Sequence, residues 1–360
     1  MKILAKTKIG DLDLKNKMVM APMTRSRTDE FGVVPDITAL YYSQRAGAGL
    51  IISEAINISE QAVGLPFTPG IYTEHQIDAW KKVTDAVHGE NGKIFAQLWH
   101  TGRAGHSLNR NGELPVSSSA IAIQGLDIFT PQGKKPYEIP RALSTVEVKQ
   151  VIQDYKKAAQ NAMDAGFDGV ELQGGFGFLP NQFLSESSNT RTDEYGGSIE
   201  NRARFTIEVM TEIISVVGPE RAGIKLSPSN TYHSMLESDP IAVYQYLFDE
   251  LNKLPIAYFH LMQPLFPADD LQHYAKDVLE GYGKMIKKHI IINGGYDRET
   301  AETEIESERA QLVSFGNLFL SNPDLPKRFA LNAYLNEADK ATMYGGTHEG
   351  YTDYPFYKEA

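Results

Sequence analysis

Eight short apolar runs, rich in β-branched residues, recur along the 360-residue chain and alternate with longer stretches of helical periodicity. The runs are 18–23 (MVMAPM), 50–55 (LIISEA), 93–99 (KIFAQLW), 169–172 (GVEL), 222–227 (AGIKLS), 257–262 (AYFHLM), 289–293 (HIIIN) and 311–315 (QLVSF). Each reads apolar on both faces, as parallel strands covered by helices must. The stretches between them, at 74–87, 145–165, 199–216, 240–251 and 271–287, carry apolar residues on one helical face. Eight such alternations predict a (β/α)8 TIM barrel. An open nucleotide-binding sheet would place GxGxxG after its first strand, and that position holds Ala21-Pro22-Met23-Thr24-Arg25.

Two departures from the rhythm also carry information. Gly10-Asp11 lies between two short alternating runs, which predicts an N-terminal hairpin at the bottom of the barrel. After the third run, residues 102–143 are rich in Gly, Pro and Ser and lack helical periodicity. So long a loop points to function, and in a barrel it belongs at the catalytic face. With no linker, low-complexity tract or internal repeat beyond the β/α unit, the expectation is one domain over residues 1–360.

Composition narrows the chemistry. The chain has no cysteine, which excludes disulfides, thiolate nucleophiles and iron–sulfur clusters. Its net charge of −11 argues against nucleic acid or an anionic membrane as a partner. The opening MKILAKTKIGDLDL has no apolar core for a secretory signal, and no apolar run approaches the ~20 residues of a membrane span. A cytoplasmic protein is expected.

In a barrel the chemistry sits at the C-terminal ends of the strands. Those ends offer a neutral hydrogen-bonding pair, Thr24 and Gln97, and one cation, Lys225. That set suits a planar polar heterocycle better than a metal, and paired carboxylates for glycosidase or metal-hydrolase work are missing. Asn293-Gly294-Gly295 and Gly316-Asn317 follow the seventh and eighth runs, where barrels bind phosphate through backbone amides. Taken alone, those glycines could equally be strand terminators. His100 and His106 read as hydrogen-bonded structural residues, and His260 as a satisfied core residue.

The blocks MAPMTRSR (20–27), GLIISEA (49–55), AQLWHTGR (96–103), NTRTDEYGGSIENRARF (189–205), SNPDLPKRF (321–329) and YGGTHEGYTDYP (344–355) resemble the Old Yellow Enzyme family nearly end to end. The resemblance implies an FMN-binding barrel in which NAD(P)H reduces the flavin and the flavin passes hydride to an activated alkene. It implies that Thr24 bonds the flavin O4 region, and that Pro22, Met23 and Ala55 line the ring. Gln97 would read the pyrimidine edge, and Lys225 would face N1/O2. Gly294, Gly295, Gly316 and Asn317 would hold the phosphate. Trp99 and Tyr344 would border the substrate, a small unsaturated compound.

This sequence departs from the family pattern where the chemistry is done. Family members carry His, then His or Asn three residues on, then usually Tyr two further, in the loop after strand four. Here VELQGGFGFLP (170–180) places Gln173, Phe176 and Phe178 there, and the flanking Gln182-Phe183-Leu184 fixes the register. Gln173 keeps one neutral donor, Phe176 has none and Phe178 has no phenolic proton. One oxyanion donor is worth about 2.7–4 kcal/mol, so ordinary enone reduction is expected to be slow. Lys225 stands for an arginine, keeping the charge and losing the planar fork. Asn317 stands for another, removing a charge-assisted contact worth about 1.5–3 kcal/mol. Three readings follow: an ene-reductase with an atypical site, a flavoenzyme with isomerase or dehydrogenase chemistry on a hydrophobic substrate, and a non-catalytic barrel with weakened FMN binding.

Overall fold

The computed structural model describes residues 1–265 and 271–359. Eight strands, Met18–Met20, Leu50–Asn57, Ile94–Trp99, Gly169–Gln173, Ala222–Leu226, Tyr258–Met262, His289–Asn293 and Leu312–Phe315, close into a barrel. Every neighbouring pair is parallel and follows chain order. We number these strands one to eight. All eight predicted runs are barrel strands, with bounds moved by a few residues. The largest change is in the first, which ends at Met20, so that Ala21–Thr24 runs on without a ladder partner past Ala21.

Helices cover the outside, and their starts follow from the sequence. Thr73 with Gln76 and Ser144 with Glu147 form reciprocal capping boxes before Glu74–Gly89 and Thr145–Asp164. Each such cap is worth about 1 kcal/mol and fixes where the helix begins. The apolar stripe of Thr145–Asp164 (Val148, Val151, Ile152, Tyr155, Ala158, Ala159, Ala162) is buried toward the barrel. The helix expected over 271–287 is shorter than its periodicity suggests: only Val278–Tyr282 is α-helical, followed by a 3-10 turn at Gly283–Met285. Asp277 caps it, accepting from the amides of Leu279 and Glu280, so the helix cannot begin earlier.

The predicted hairpin is present as Thr7–Ile9 paired with Leu12–Leu14. Its Ile9, Leu12 and Leu14 join Val19, Leu50, Ile52, Phe95, Tyr258, Ile291 and Leu312 in one buried cluster. This is the lower interior of the barrel, and the hairpin stoppers it, leaving the opposite end as the functional face. Above that apolar layer the lumen turns polar.

The segment 102–143 lacks α-helix beyond a 3-10 turn at Ser107–Asn109, but it is not structureless. It holds a hairpin, Asp127–Thr130 with Gly133–Pro136, and a two-residue ladder, Val116–Ser117 with Arg141–Ala142. No helix among the described residues is long and apolar enough to cross a membrane.

Candidate active site

Strand two carries a register irregularity between Ile52 and Ala55. Such a bulge re-aims side chains next to a site. Here the Ser53 hydroxyl accepts the amide of Gln97, and Glu54 accepts the amide of Arg25 at 3.1 Å. Burial raises the Glu54 carboxyl to about 7, against the pull of Arg25 and Arg27. The turn that carries Thr24 is thereby tied to strand two.

The polar layer of the lumen is a chain of four side chains. Gln97 donates from Nε2 to Glu171 Oε1 at 2.7 Å, His260 Nδ1 lies 2.9 Å from Glu171 Oε2, and His260 Nε2 lies 2.8 Å from the Ser314 hydroxyl. All four are buried. Burial alone would raise Glu171, but His260 and Lys225 outweigh it and hold the carboxyl below its ordinary value; burial holds His260 below its own. Glu171 is therefore the anion and His260 neutral, donating from Nδ1 and accepting from Ser314. His260 is the satisfied core histidine expected.

This chain consumes half of Gln97. A carboxylate only accepts, so the amide nitrogen must face Glu171, and the Gln97 carbonyl is left without a partner among the described residues. Lys225, 4% exposed, has no hydrogen-bond partner among the described residues either. Burial brings its ammonium down to about 8, with Glu171 opposing, so it remains cationic at neutral pH. Thr24, half-buried, likewise has a hydroxyl without a partner among them.

The loop after strand four is pinned by hydrogen bonds. Gly175 N–H donates to Gln173 Oε1 at 3.2 Å, which leaves the Gln173 amide nitrogen as its open end. Phe176 N–H donates to the Ser227 hydroxyl at 2.8 Å, and the Phe176 ring lies 5.9 Å from Lys225 Nζ. Phe178 meets Trp99 edge-on at 4.9 Å. Trp99 is buried, with no partner for its indole N–H among the described residues.

The two glycine turns follow the seventh and eighth strands, which are neighbours in the barrel. Gly294 and Gly295 have φ of +120° and +77°, and a Cβ on Gly294 would lie 2.9 Å from Cβ of Gln263. No other residue fits there. Above Gly295 is open space, and a Cβ on Gly316 would meet nothing nearer than Met23 Sδ at 3.5 Å. No acceptor among the described residues takes the amides of Gly294, Gly295, Gly316 or Asn317, and the exposed Asn317 side chain is equally without a partner.

FMN, the cofactor the resemblance implies, fits this arrangement. An open cradle of amides suits a phosphate. A carbonyl acceptor, a hydroxyl and an ammonium left without partners suit the polar edge of a flavin. Pro22, Met23 and Ala55 lie at the same end of strands one and two. Tyr344 is placed less closely: it lies on the C-terminal segment, where Gly345 bonds the Arg25 carbonyl, and is 66% exposed. His100 and His106 accept the amides of Gly102 and Leu108.

Sequence reasoning missed three participants. Glu171, an acid inside an otherwise apolar strand, was a legible signal of a buried partner. His233 and Tyr137 gave none. They lie 96 residues apart and meet only because the loops after strands three and five fold together, with Tyr137 Oη 3.1 Å from His233 Nε2.

Comparison with known proteins agrees with the site. The model of the NADH:flavin oxidoreductase / NADH oxidase family matches residues 2–336. The 12-oxophytodienoate reductase 1 of Oryza sativa subsp. japonica is 44% identical over 365 residues, spanning 99% of this chain and 93% of the relative. Among solved structures, morphinone reductase in complex with tetrahydroNAD superposes with a TM-score of 0.93 at 43% identity, covering 99% of this chain and 98% of its own. An old yellow enzyme homologue from Zymomonas mobilis gives 0.93 at 39% identity, with 99% of both chains covered. The chain belongs to the NADH:flavin oxidoreductase / NADH oxidase family, the Old Yellow Enzymes, and is an FMN-dependent oxidoreductase.

Proposed function

We propose that the protein reduces the activated C=C bond of a mainly apolar α,β-unsaturated compound at the expense of NAD(P)H, with Gln173 as its polar anchor for the activating oxygen. The observation that carries this reading is the set of groups at the strand ends without a hydrogen-bond partner among the described residues: the Thr24 hydroxyl, the Gln97 carbonyl, the Lys225 ammonium and the Gln173 amide nitrogen. They lie at the same ends of the barrel strands as the backbone amides of Gly295 and Gly316.

FMN, when bound, supplies the hydride relay from nicotinamide to the β-carbon of the substrate. Thr24, Gln97 and Lys225 would hold its ring, with Pro22, Met23 and Ala55 lining it and Tyr344 at an outer edge. Gln97 has only its carbonyl to offer and so accepts from a ring N–H. Lys225 supplies the positive charge that favours negative charge on the reduced ring. Gly294, Gly295, Gly316 and Asn317 would hold the phosphate with neutral donors only.

Gln173 donates one hydrogen bond to the oxygen that gains charge as hydride arrives. Phe176, Phe178 and Trp99 pack against the apolar body of the substrate. None of the three is an acid at neutral pH, so the α-carbon takes its proton from water. The names of two relatives, reductases of 12-oxophytodienoate and of morphinone, support a sizeable substrate carrying an oxo group.

The test uses FMN-loaded protein. Anaerobic NADH or NADPH is expected to bleach the flavin, and a cyclic enone to restore its colour slowly. Flavin that neither nucleotide bleaches would overturn the reading. Gln173→His, Phe176→Asn and Phe178→Tyr together are expected to raise kcat/KM on the enone by about a hundredfold or more, the value of one restored oxyanion donor. No gain would show that this loop does not limit the reaction.

A further inference from the structure

Three loops of the catalytic face meet at one imidazole. His233, in the segment after strand five, is 5% exposed. Its Nδ1 lies 2.7 Å from the Phe176 carbonyl, which can only accept, so Nδ1 carries the proton. Burial holds the ring neutral, with a pKa of about 4, the Arg103 guanidinium adding to the effect. The Nε2 lone pair then accepts the hydroxyl of Tyr137 at 3.1 Å. The main chain of the same residue is held too, Arg103 Nη2 donating to the His233 carbonyl at 3.0 Å, and the side-chain hydroxyl of the next residue, Ser234, accepts Gln124 N–H at 3.1 Å.

The surrounding backbone needs this support. Phe176, His233 and Ser234 have φ of +56°, +61° and +60°, a region where side chains are strained. At Gly177, φ is +73° and a Cβ would lie 2.6 Å from Cβ of His233, so the two loops are in direct contact. The imidazole also stands edge-on to Phe178 at 5.8 Å and to Tyr137 at 5.6 Å.

Tyr137 is not a relocated acid. Its proton points at Nε2, and a neutral ring with its proton on Nδ1 has no hydrogen with which to stabilise a phenolate. Burial raises the phenol further. The imidazole–phenol pair holds structure and does not transfer a proton to substrate.

We propose that His233 is a positioning residue: it fixes the left-handed turn at Phe176 and, through Tyr137, latches the long loop after strand three over the substrate pocket. The effect on turnover rests on the function proposed above, but the latch itself does not.

Hydrogen exchange of the FMN-loaded protein, with steady-state kinetics on the enone alongside, separates the two contacts. Tyr137→Phe removes the latch alone. His233→Asn keeps a donor where Nδ1 stands, tolerates positive φ and loses Tyr137, so it should behave like Tyr137→Phe. Both are expected to speed exchange over 127–143 and to raise KM by about three- to tenfold, the value of one hydrogen bond, with kcat little changed. The double variant should add nothing to either. His233→Leu loses both contacts, so exchange should also quicken over 174–178 and kcat should fall. Unchanged exchange over 127–143 in Tyr137→Phe, or additive effects in the double variant, would falsify the latch. Altered exchange in an enzyme that reduces no enone would leave the latch standing and sink the proposed chemistry instead.

Discussion

At the scale of residues, the site is governed by which polar atoms are already engaged. Gln97 looks like a two-ended amide in sequence, yet Glu171 occupies its donor and only an acceptor remains. Gln173 is the converse, its oxygen held by Gly175 N–H and its nitrogen left open. The buried histidines make such commitments measurable through pH. His233 titrates near 4 in the folded protein and near 6.5 when unfolded. Between those values the unfolded chain binds a proton that the folded one does not, so stability falls as pH falls, by about 1.4 kcal/mol per unit. His100, lowered to about 3, acts in the same sense, whereas Glu54, raised to about 7, stabilises as pH falls from 7 toward 4.5. In His233→Leu the stability–pH slope between 6.5 and 4 should therefore differ from the parent by up to about 1.4 kcal/mol per unit, toward less acid destabilisation. Urea unfolding at several pH values in that window measures it, and an identical slope would mean that His233 is not buried neutral.

At the scale of elements, two of the blocks that carried the family resemblance prove to be partners of one another. Arg25 and Arg27 of MAPMTRSR donate to the carbonyls of Met343 and Gly350, and of Thr342 and Glu349, in the C-terminal segment. Tyr351 of that segment is fully buried and stacks on Tyr41 at 4.1 Å, its hydroxyl reaching Thr38. The arginines are therefore clamps, and they hold the segment carrying Tyr344 beside the Thr24 turn. Tyr351→Ala removes the stacked ring and leaves a cavity, at a cost of about 3–5 kcal/mol. We expect a lower urea midpoint and faster exchange over 342–355. A variant with the parent's midpoint would show that the tail is held by the arginines alone.

At the scale of the molecule, the net charge of −11 opposes any anionic cofactor, while Lys225 and the open amides attract it locally. Raising ionic strength from about 0.01 to 0.15 M shortens the screening length from roughly 30 to 8 Å, which removes the global repulsion before the short-range attraction. The association rate of FMN with apoprotein, followed by stopped-flow fluorescence quenching, should rise over that range; a fall would give control to the local cation. The barrel itself was legible in the order of elements, because eight apolar runs alternating with amphipathic stretches can bury both sheet faces in few other ways. The hairpin that stoppers it was legible from Gly10-Asp11, and, through the family resemblance alone, the substitutions at Gln173, Phe176 and Phe178. These are local properties, written in periodicity, turn chemistry and motif spacing. What only the tertiary structure decided is which groups remain free. The engagement of Gln97 by Glu171 and the meeting of Tyr137, His233 and Phe176 depend on residues far apart in the chain. A hydrogen bond has one donor and one acceptor, and no periodicity in the chain records which distant side chain will claim them.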